Sequence, residues 1–145
     1  MLVSTKGRYA LRVIIDLAER EGEGYLPLRD IAHRLGISEK YLESVLKTLV
    51  RDHLIEGMRG KGSGYRLTRP AADCTAGEVL RVTEGSLAPV DYLDELSGEA
   101  SPGESCYEIF VWKGLHDLVK GYLGGISLQD VVDRSSQLAI DSYTI

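Results

Sequence analysis

The chain has 145 residues, 43% hydrophobic and 27% charged, which suits one ordinary core or a small domain with an oligomerisation element and excludes a disordered chain. Its net charge of −5 hides an asymmetry: residues 1–70 carry 13 basic and 9 acidic residues, net +4, and residues 71–145 carry 4 and 13, net −9. That split is the footprint of a nucleic-acid-binding region joined to a different module, and it excludes a uniformly acidic surface.

Ser4 or Thr5 can cap a first helix from about Gly7 to Glu21, with an apolar stripe of Tyr9, Leu11, Val13, Ile14, Leu17 and Ala18. Lys6, Arg8 and Arg12 give the same helix a basic stripe, and Gly22-Glu23-Gly24 ends it. Pro27 marks the start of a second helix, where Leu28, Ile31, Ala32 and Leu35 repeat at helical spacing. Gly36 follows where a helix end needs a left-handed residue, and Ser38 is a natural N-cap for a third helix reaching about Asp52. Leu42, Val45, Leu46 and Leu49 turn to the core, leaving Glu39, Lys40, Glu43, Ser44 and Lys47 outward. Two helices joined by so short a turn cross steeply, and a polar outer face on the second is the form that enters a DNA major groove.

Two extended segments, Leu54 to Arg59 and Tyr65 to Leu67, flank the Gly-rich loop Gly60-Lys61-Gly62-Ser63-Gly64 and read as a β-hairpin. A hairpin directly after a helix-turn-helix is a wing, and its glycines allow the close backbone approach that a phosphate contact requires. Residues 1–72 are therefore expected to form a winged helix-turn-helix domain, and residues 73–145 a linker helix, an acidic loop and dimerisation helices. Thr75-Ala76-Gly77-Glu78 has the capping-box pattern, with Cys74 placed to staple against Val79. Glu84 to Glu104 carries Asp91, Asp94, Glu95 and Glu99 among prolines and glycines and reads as a loop. A helix resumes over about 105–123, with Ile109, Trp112, Leu115, Leu118, Val119 and Tyr122 on one stripe. A small winged helix already has its core, so this stripe calls for another partner, most economically the same helix of a second copy. Ser127 caps a last short helix through Val131 and Val132, and the tail to Ile145 shows no pattern. The fold class is mostly α, with a two-stranded β wing and a long C-terminal dimerisation helix.

Several functions find no support. Cys74 and Cys106 make neither a disulfide framework nor a metal-type pair, and His33, His53 and His116 are too dispersed for a metal site. There is no nucleophile–base pair, and the Gly60–Gly64 loop lacks the spacing of a nucleotide-binding P-loop, so no enzyme is expected. The start of the chain shows no signal-peptide h-region and no run approaches the roughly 20 apolar residues of a bilayer span, so a cytoplasmic protein without membrane partners is expected.

Ser4 to Ala10, Ser38 with Tyr41-Leu42-Glu43, Arg59-Gly60 followed by Gly64-Tyr65, and Glu84-Gly85 together resemble the Rrf-two family of bacterial winged-helix regulators. The resemblance runs in register from about residue 2 to 90 and more loosely through 105–135. It implies a homodimeric regulator of transcription that binds double-stranded DNA, with long C-terminal helices crossing between subunits. Carried over, the base readers are Ser38, Lys40 and Glu43, and Arg59 is the wing residue of the minor groove. Thr5, Lys6, Tyr9 and Tyr41 fall at backbone-contacting positions, and Lys61 and Arg66 are candidate phosphate neutralisers. A Glu at 43 can accept from a cytosine amino group, and an Arg at 59 suits a narrow, negative minor groove.

Cluster-binding members of that family carry three cysteines before the dimer helix. Here only Cys106 stands in that region, and Ile109 takes the place of a histidine ligand. One thiolate per subunit does not hold a four-ligand [2Fe–2S] centre of the usual kind, so no cofactor is expected. The pattern is closest to the cluster-free, CymR-like members, which implies a repressor of sulphur, cysteine or related metabolism responding to a partner enzyme or a small-molecule effector. Two alternatives stay open: an interaction module acting mainly on a metabolic enzyme through the acidic half, and a redox or iron–sulphur response through Cys106.

Overall fold

The computed structural model describes residues 3–90, 92–93 and 107–143. Six helices and one hairpin follow in the order α1 (Thr5–Glu19), α2 (Leu28–Leu35), α3 (Glu39–Arg51), β1 (Ile55–Met58), β2 (Gly64–Leu67), α4 (Ala76–Glu84), α5 (Ile109–Gly124) and α6 (Leu128–Tyr143), with a 3-10 turn at Ala71–Asp73 before α4. Cys106 and nearly all of the acidic 91–104 stretch lie outside the described residues.

The expected caps form. Ser4 closes α1 by accepting from the Gly7 N–H, so of the two candidates Ser4 is the cap and Thr5 the first helical residue. Gly36 ends α2 in the left-handed region at φ 66°, and the Ser38 hydroxyl accepts from the Tyr41 N–H to open α3. The α2–α3 corner follows from that pair of residues, because a Cβ at φ 66° would be strained where Gly has no penalty. The core gathers Ala10, Val13, Ile14 and Leu17 of α1, Ile31 of α2, and Leu42, Val45, Leu46 and Leu49 of α3. Each such valine, leucine or isoleucine side chain taken from water stabilises the fold by roughly 1.5–3 kcal/mol.

The same core also takes in Cys74, Val79 of α4 and Leu128 of α6, so it crosses the boundary expected after residue 72. Packing, not composition, decides this: α4 and α6 both lie against α1. The link is reinforced where Ala76 N–H donates to Ile126 O (2.9 Å) and Leu128 N–H to Cys74 O (2.8 Å). Cys74 is the buried staple foreseen beside Val79, and burial pushes its thiol up from the ordinary range. Thr75 caps α4, but the Glu78 carboxylate pairs with Arg69 instead of completing the box. The last helix is longer than expected. It is opened by a reciprocal Ser127–Asp130 cap, which holds the Asp130 carboxyl below its usual range, and it runs to Tyr143.

The apolar stripe of α5 divides into two faces. Ile109, Trp112 and Val119 are half-buried within the chain, with α4 as the helix packed against α5. On the outward side Phe110, Leu118 and Tyr122 are 75%, 72% and 70% exposed, and Val111 and Leu115 extend that face. His116 is the buried residue of the helix at 2% exposure, and neither ring nitrogen finds a hydrogen-bond partner among the described residues. No helix among the described residues is long and apolar enough to cross a membrane.

Candidate nucleic-acid interface

Three elements supply the surface: the start of α1, the outer face of α3 and the wing. The wing is a two-stranded antiparallel sheet pairing Ile55 with Leu67 and Met58 with Gly64. Its second strand is fixed to the chain between α1 and α2, where Leu26 N–H donates to Tyr65 O (2.8 Å) and Tyr65 N–H to Leu26 O (2.9 Å). Gly64 makes this approach possible, since a Cβ there would collide with the Leu26 backbone. Its closeness serves the protein's own backbone, whereas Gly60 and Gly62 at φ 87° and 77° shape the tip. Arg59 follows β1 directly and is exposed, as is Lys61 at the tip.

On α3, Lys40, Glu43, Ser44 and Lys47 are exposed. The Ser38 hydroxyl spends its acceptor on the Tyr41 N–H (3.1 Å), which leaves its own hydrogen to donate. Among the described residues Glu43 forms no ion pair with Lys47 or any other cation, which leaves its carboxylate free. Further along the same helix, Lys47, Val50 and Arg51 face Gly57, Met58, Arg59 and Tyr65 across an open cleft of about 430 Å³. At the other end, the Tyr9 and Tyr41 rings meet edge to face with centroids 5.6 Å apart, and the Arg12 guanidinium lies 5.2 Å from the Tyr9 centroid. That cluster ties the first turns of α1 to the start of α3, making one continuous surface.

Charge pairing separates the cations into two groups. Arg20, Arg34, Arg51, Arg66 and Arg69 each have a carboxylate partner. Among the described residues Lys6, Arg8, Arg12, Lys40, Lys47, Arg59 and Lys61 have none and lie on α1, on α3 or on the wing, while Arg29 of α2, Lys113 of α5 and Arg134 of α6 are likewise without a carboxylate partner. Arg66, expected at a phosphate, belongs to the first group. The strand register sets Arg66 opposite Glu56, and its Nε donates to Glu56 Oε1 at 2.6 Å. Its guanidinium also sits 4.3 Å from the Tyr25 centroid, beside a cavity away from the α3 cleft, and the Glu56 bond holds its pKa up. Arg12, on the basic stripe of α1, and Lys47, on the outward face of α3, lie on the same surface without a carboxylate partner, whereas Arg51 pairs with Asp52 at 3.1 Å.

The family profile described as "Rrf2: Iron-dependent Transcriptional regulator" matches residues 3–134. The chain belongs to the Rrf2 (Rrf-two) family of transcriptional regulators. It is 36% identical over 131 residues to the HTH-type transcriptional regulator CymR of Bacillus subtilis, covering 90% of this chain and 89% of that protein. It is 34% identical over 141 residues to the HTH-type transcriptional regulator IscR of Photorhabdus laumondii, covering 97% and 84%. Among solved structures it is similar to CymR, the global cysteine regulator of B. subtilis, at a TM-score of 0.77 and 34% identity over 92% of this chain and 98% of that one. The structure of IscR from T. potens follows at a TM-score of 0.73 and 30% identity, covering 93% and 88%. The winged helix-turn-helix fold and a DNA-binding role in transcription regulation are thus those of this chain.

Proposed function

We propose that the protein acts as a homodimer that represses genes of cysteine or sulphur metabolism by reading two operator half-sites. The observation that carries this reading is the concentration of unpaired cations, with the free Glu43 carboxylate among them, on the α1 start, α3 and the wing. Ser38, Lys40 and Glu43 read bases in the major groove, and Arg59 enters the minor groove. Thr5, Lys6, Tyr9, Tyr41 and Lys61 contact the backbone, with Lys47 and Arg51 added from the cleft. Support for cysteine metabolism comes from the likeness to the B. subtilis cysteine regulator.

Selection of sheared genomic DNA on the purified protein is expected to enrich a pseudo-palindrome. Glu43→Ala should then weaken the enriched site by about 1–3 kcal/mol per half-site and relax selection at one base pair, because a polar base contact is lost. Arg59→Ala should lower affinity most where the flanking minor groove is narrow. Unchanged sequence preference in both variants would refute these assignments.

The family description speaks of iron, and the donor set of this chain does not fit a cluster held by three cysteines. Of its two thiols, Cys74 is buried in the core, which leaves one per subunit between α4 and α5. Anaerobic incubation with iron and sulphide is expected to give no cluster absorbance. A stable [2Fe–2S] spectrum would overturn the cluster-free reading.

A further inference from the structure

Glu84 is the last residue of α4, and its side chain reaches back to the start of α1. The Ser4 N–H donates to Glu84 Oε1 at 3.0 Å, and the Ser4 hydroxyl donates to the same oxygen at 2.6 Å. That hydroxyl in turn accepts from the Gly7 N–H at 3.0 Å, so the cap of α1 is itself held by a carboxylate 80 residues away in sequence. Room for it exists because residue 7 is Gly: a Cβ there would collide with Glu84 Oε1. A negative charge at a helix N-terminus is favoured by the unsatisfied N–H groups gathered there.

We propose that Glu84 is a positioning residue for DNA binding. It fixes the first turn of α1, and through it the backbone-contacting side chains Thr5, Lys6 and Tyr9, and it makes α4 the lever by which the C-terminal half acts on that contact. The inference rests on the DNA-binding surface assigned above. Both Ser4 bonds share one acceptor atom, so a shift of the α4 end by an ångström or so breaks them together. Helix α4 packs against α1 on one side and α5 on the other, and Gly85, at φ 81°, turns the chain out of α4 immediately after Glu84. A change in how α5 sits is therefore delivered to the α1 start. Tyr9 passes it on to Tyr41 at the head of α3.

The test compares wild type with Glu84→Ala, Glu84→Gln and Gly7→Ala on DNA fragments enriched by the wild-type protein, titrated across salt. In Glu84→Ala and Gly7→Ala the slope of log K against log salt should shrink by about one per subunit, as for a lost phosphate contact. Affinity for enriched and for random DNA should fall by the same factor, leaving their ratio unchanged. Glu84→Gln keeps an acceptor oxygen and should recover most of the slope. Gly7→Ala places a better helix former in α1 while expelling the carboxylate, so an unfolded helix does not account for its effect. Without DNA, amide exchange at Ser4 to Gly7 should speed up in the Ala variants alone. Wild-type slopes in both Ala variants, or unaltered exchange, overturn the proposal. Wild-type protein that prefers no sequence overturns the functional reading instead, and exchange still decides the latch.

Discussion

Leu118→Asp is expected to turn the proposed dimer into a monomer in sedimentation and to reduce operator affinity by roughly 10²–10⁴ at fixed salt, with little change in monomer stability. Leu118 is 72% exposed in the single chain and lies between Leu115 and Tyr122 on the outward face of α5. An apolar face of this kind on a helix whose other side is already packed marks an interaction site. A second copy fits it because a two-fold axis lets the same face serve both partners. The carboxylate introduced by the substitution would be desolvated at such an interface without a partner, a cost of several kcal/mol. The affinity loss follows from geometry: a monomer binds one half-site and loses the gain of tethered double occupancy. Trp112, half-buried against the same chain, should behave differently, with Trp112→Ala lowering stability before it alters association. A dimeric Leu118→Asp protein with wild-type affinity would place the subunit contact elsewhere.

The two classes of α5 residue show where sequence patterning stops. Helical spacing identified all six stripe positions, yet the stripe is wider than one contact face, and only tertiary packing divides it between α4 and the outside. The helix-turn-helix was legible because its determinants are local. Gly36, Ser38 and the spacing of Leu42, Val45, Leu46 and Leu49 act within a few residues of one another. The proposed base readers Ser38, Lys40 and Glu43 came from the family resemblance, and spacing alone gave only the outward polar face on which Lys40 and Glu43 stand. What spacing did not reveal are the long-range polar pairs: Arg66 with Glu56 depends on hairpin register, and Ser4 with Glu84 joins residues 80 apart. The length of α6 was missed for a related reason. Beyond Val132 its sequence is largely polar, with Asp133, Arg134, Ser135, Ser136 and Gln137 in a row. Its Ser127–Asp130 cap was a readable signal all the same.

Asp16 carried a signal of its own, an acidic residue inside the apolar face formed by Val13, Ile14 and Leu17, and it underlies the second large effect. Asp16 is 6% exposed. Oδ1 accepts from Arg34 Nε at 2.9 Å and Oδ2 from Arg34 Nη2 at 2.8 Å, a two-bond fork, while Arg20 Nη1 donates to Oδ1 at 3.0 Å. The bond to Asp16 holds the Arg34 guanidinium pKa up despite partial burial. Arg34→Ala is expected to cost on the order of 2–4 kcal/mol in urea unfolding, because it leaves a buried carboxylate with one partner. That is a large share of the roughly 5–15 kcal/mol of a typical domain. Arg34→Lys should recover only part of it, since an ammonium does not reproduce the fork. Asp16→Leu should cost less than Arg34→Ala: both arginines keep some access to water, their side chains being 26% and 29% exposed, and a leucine suits the apolar face. The reverse order would mean that the carboxylate is better solvated than its burial indicates. Arg34 stands two residues before Gly36, so the fork also fixes how α2 presents α3. Arg34→Ala protein that remains folded is therefore expected to lose discrimination between operator and random DNA, whereas a Glu84 variant loses affinity for both alike.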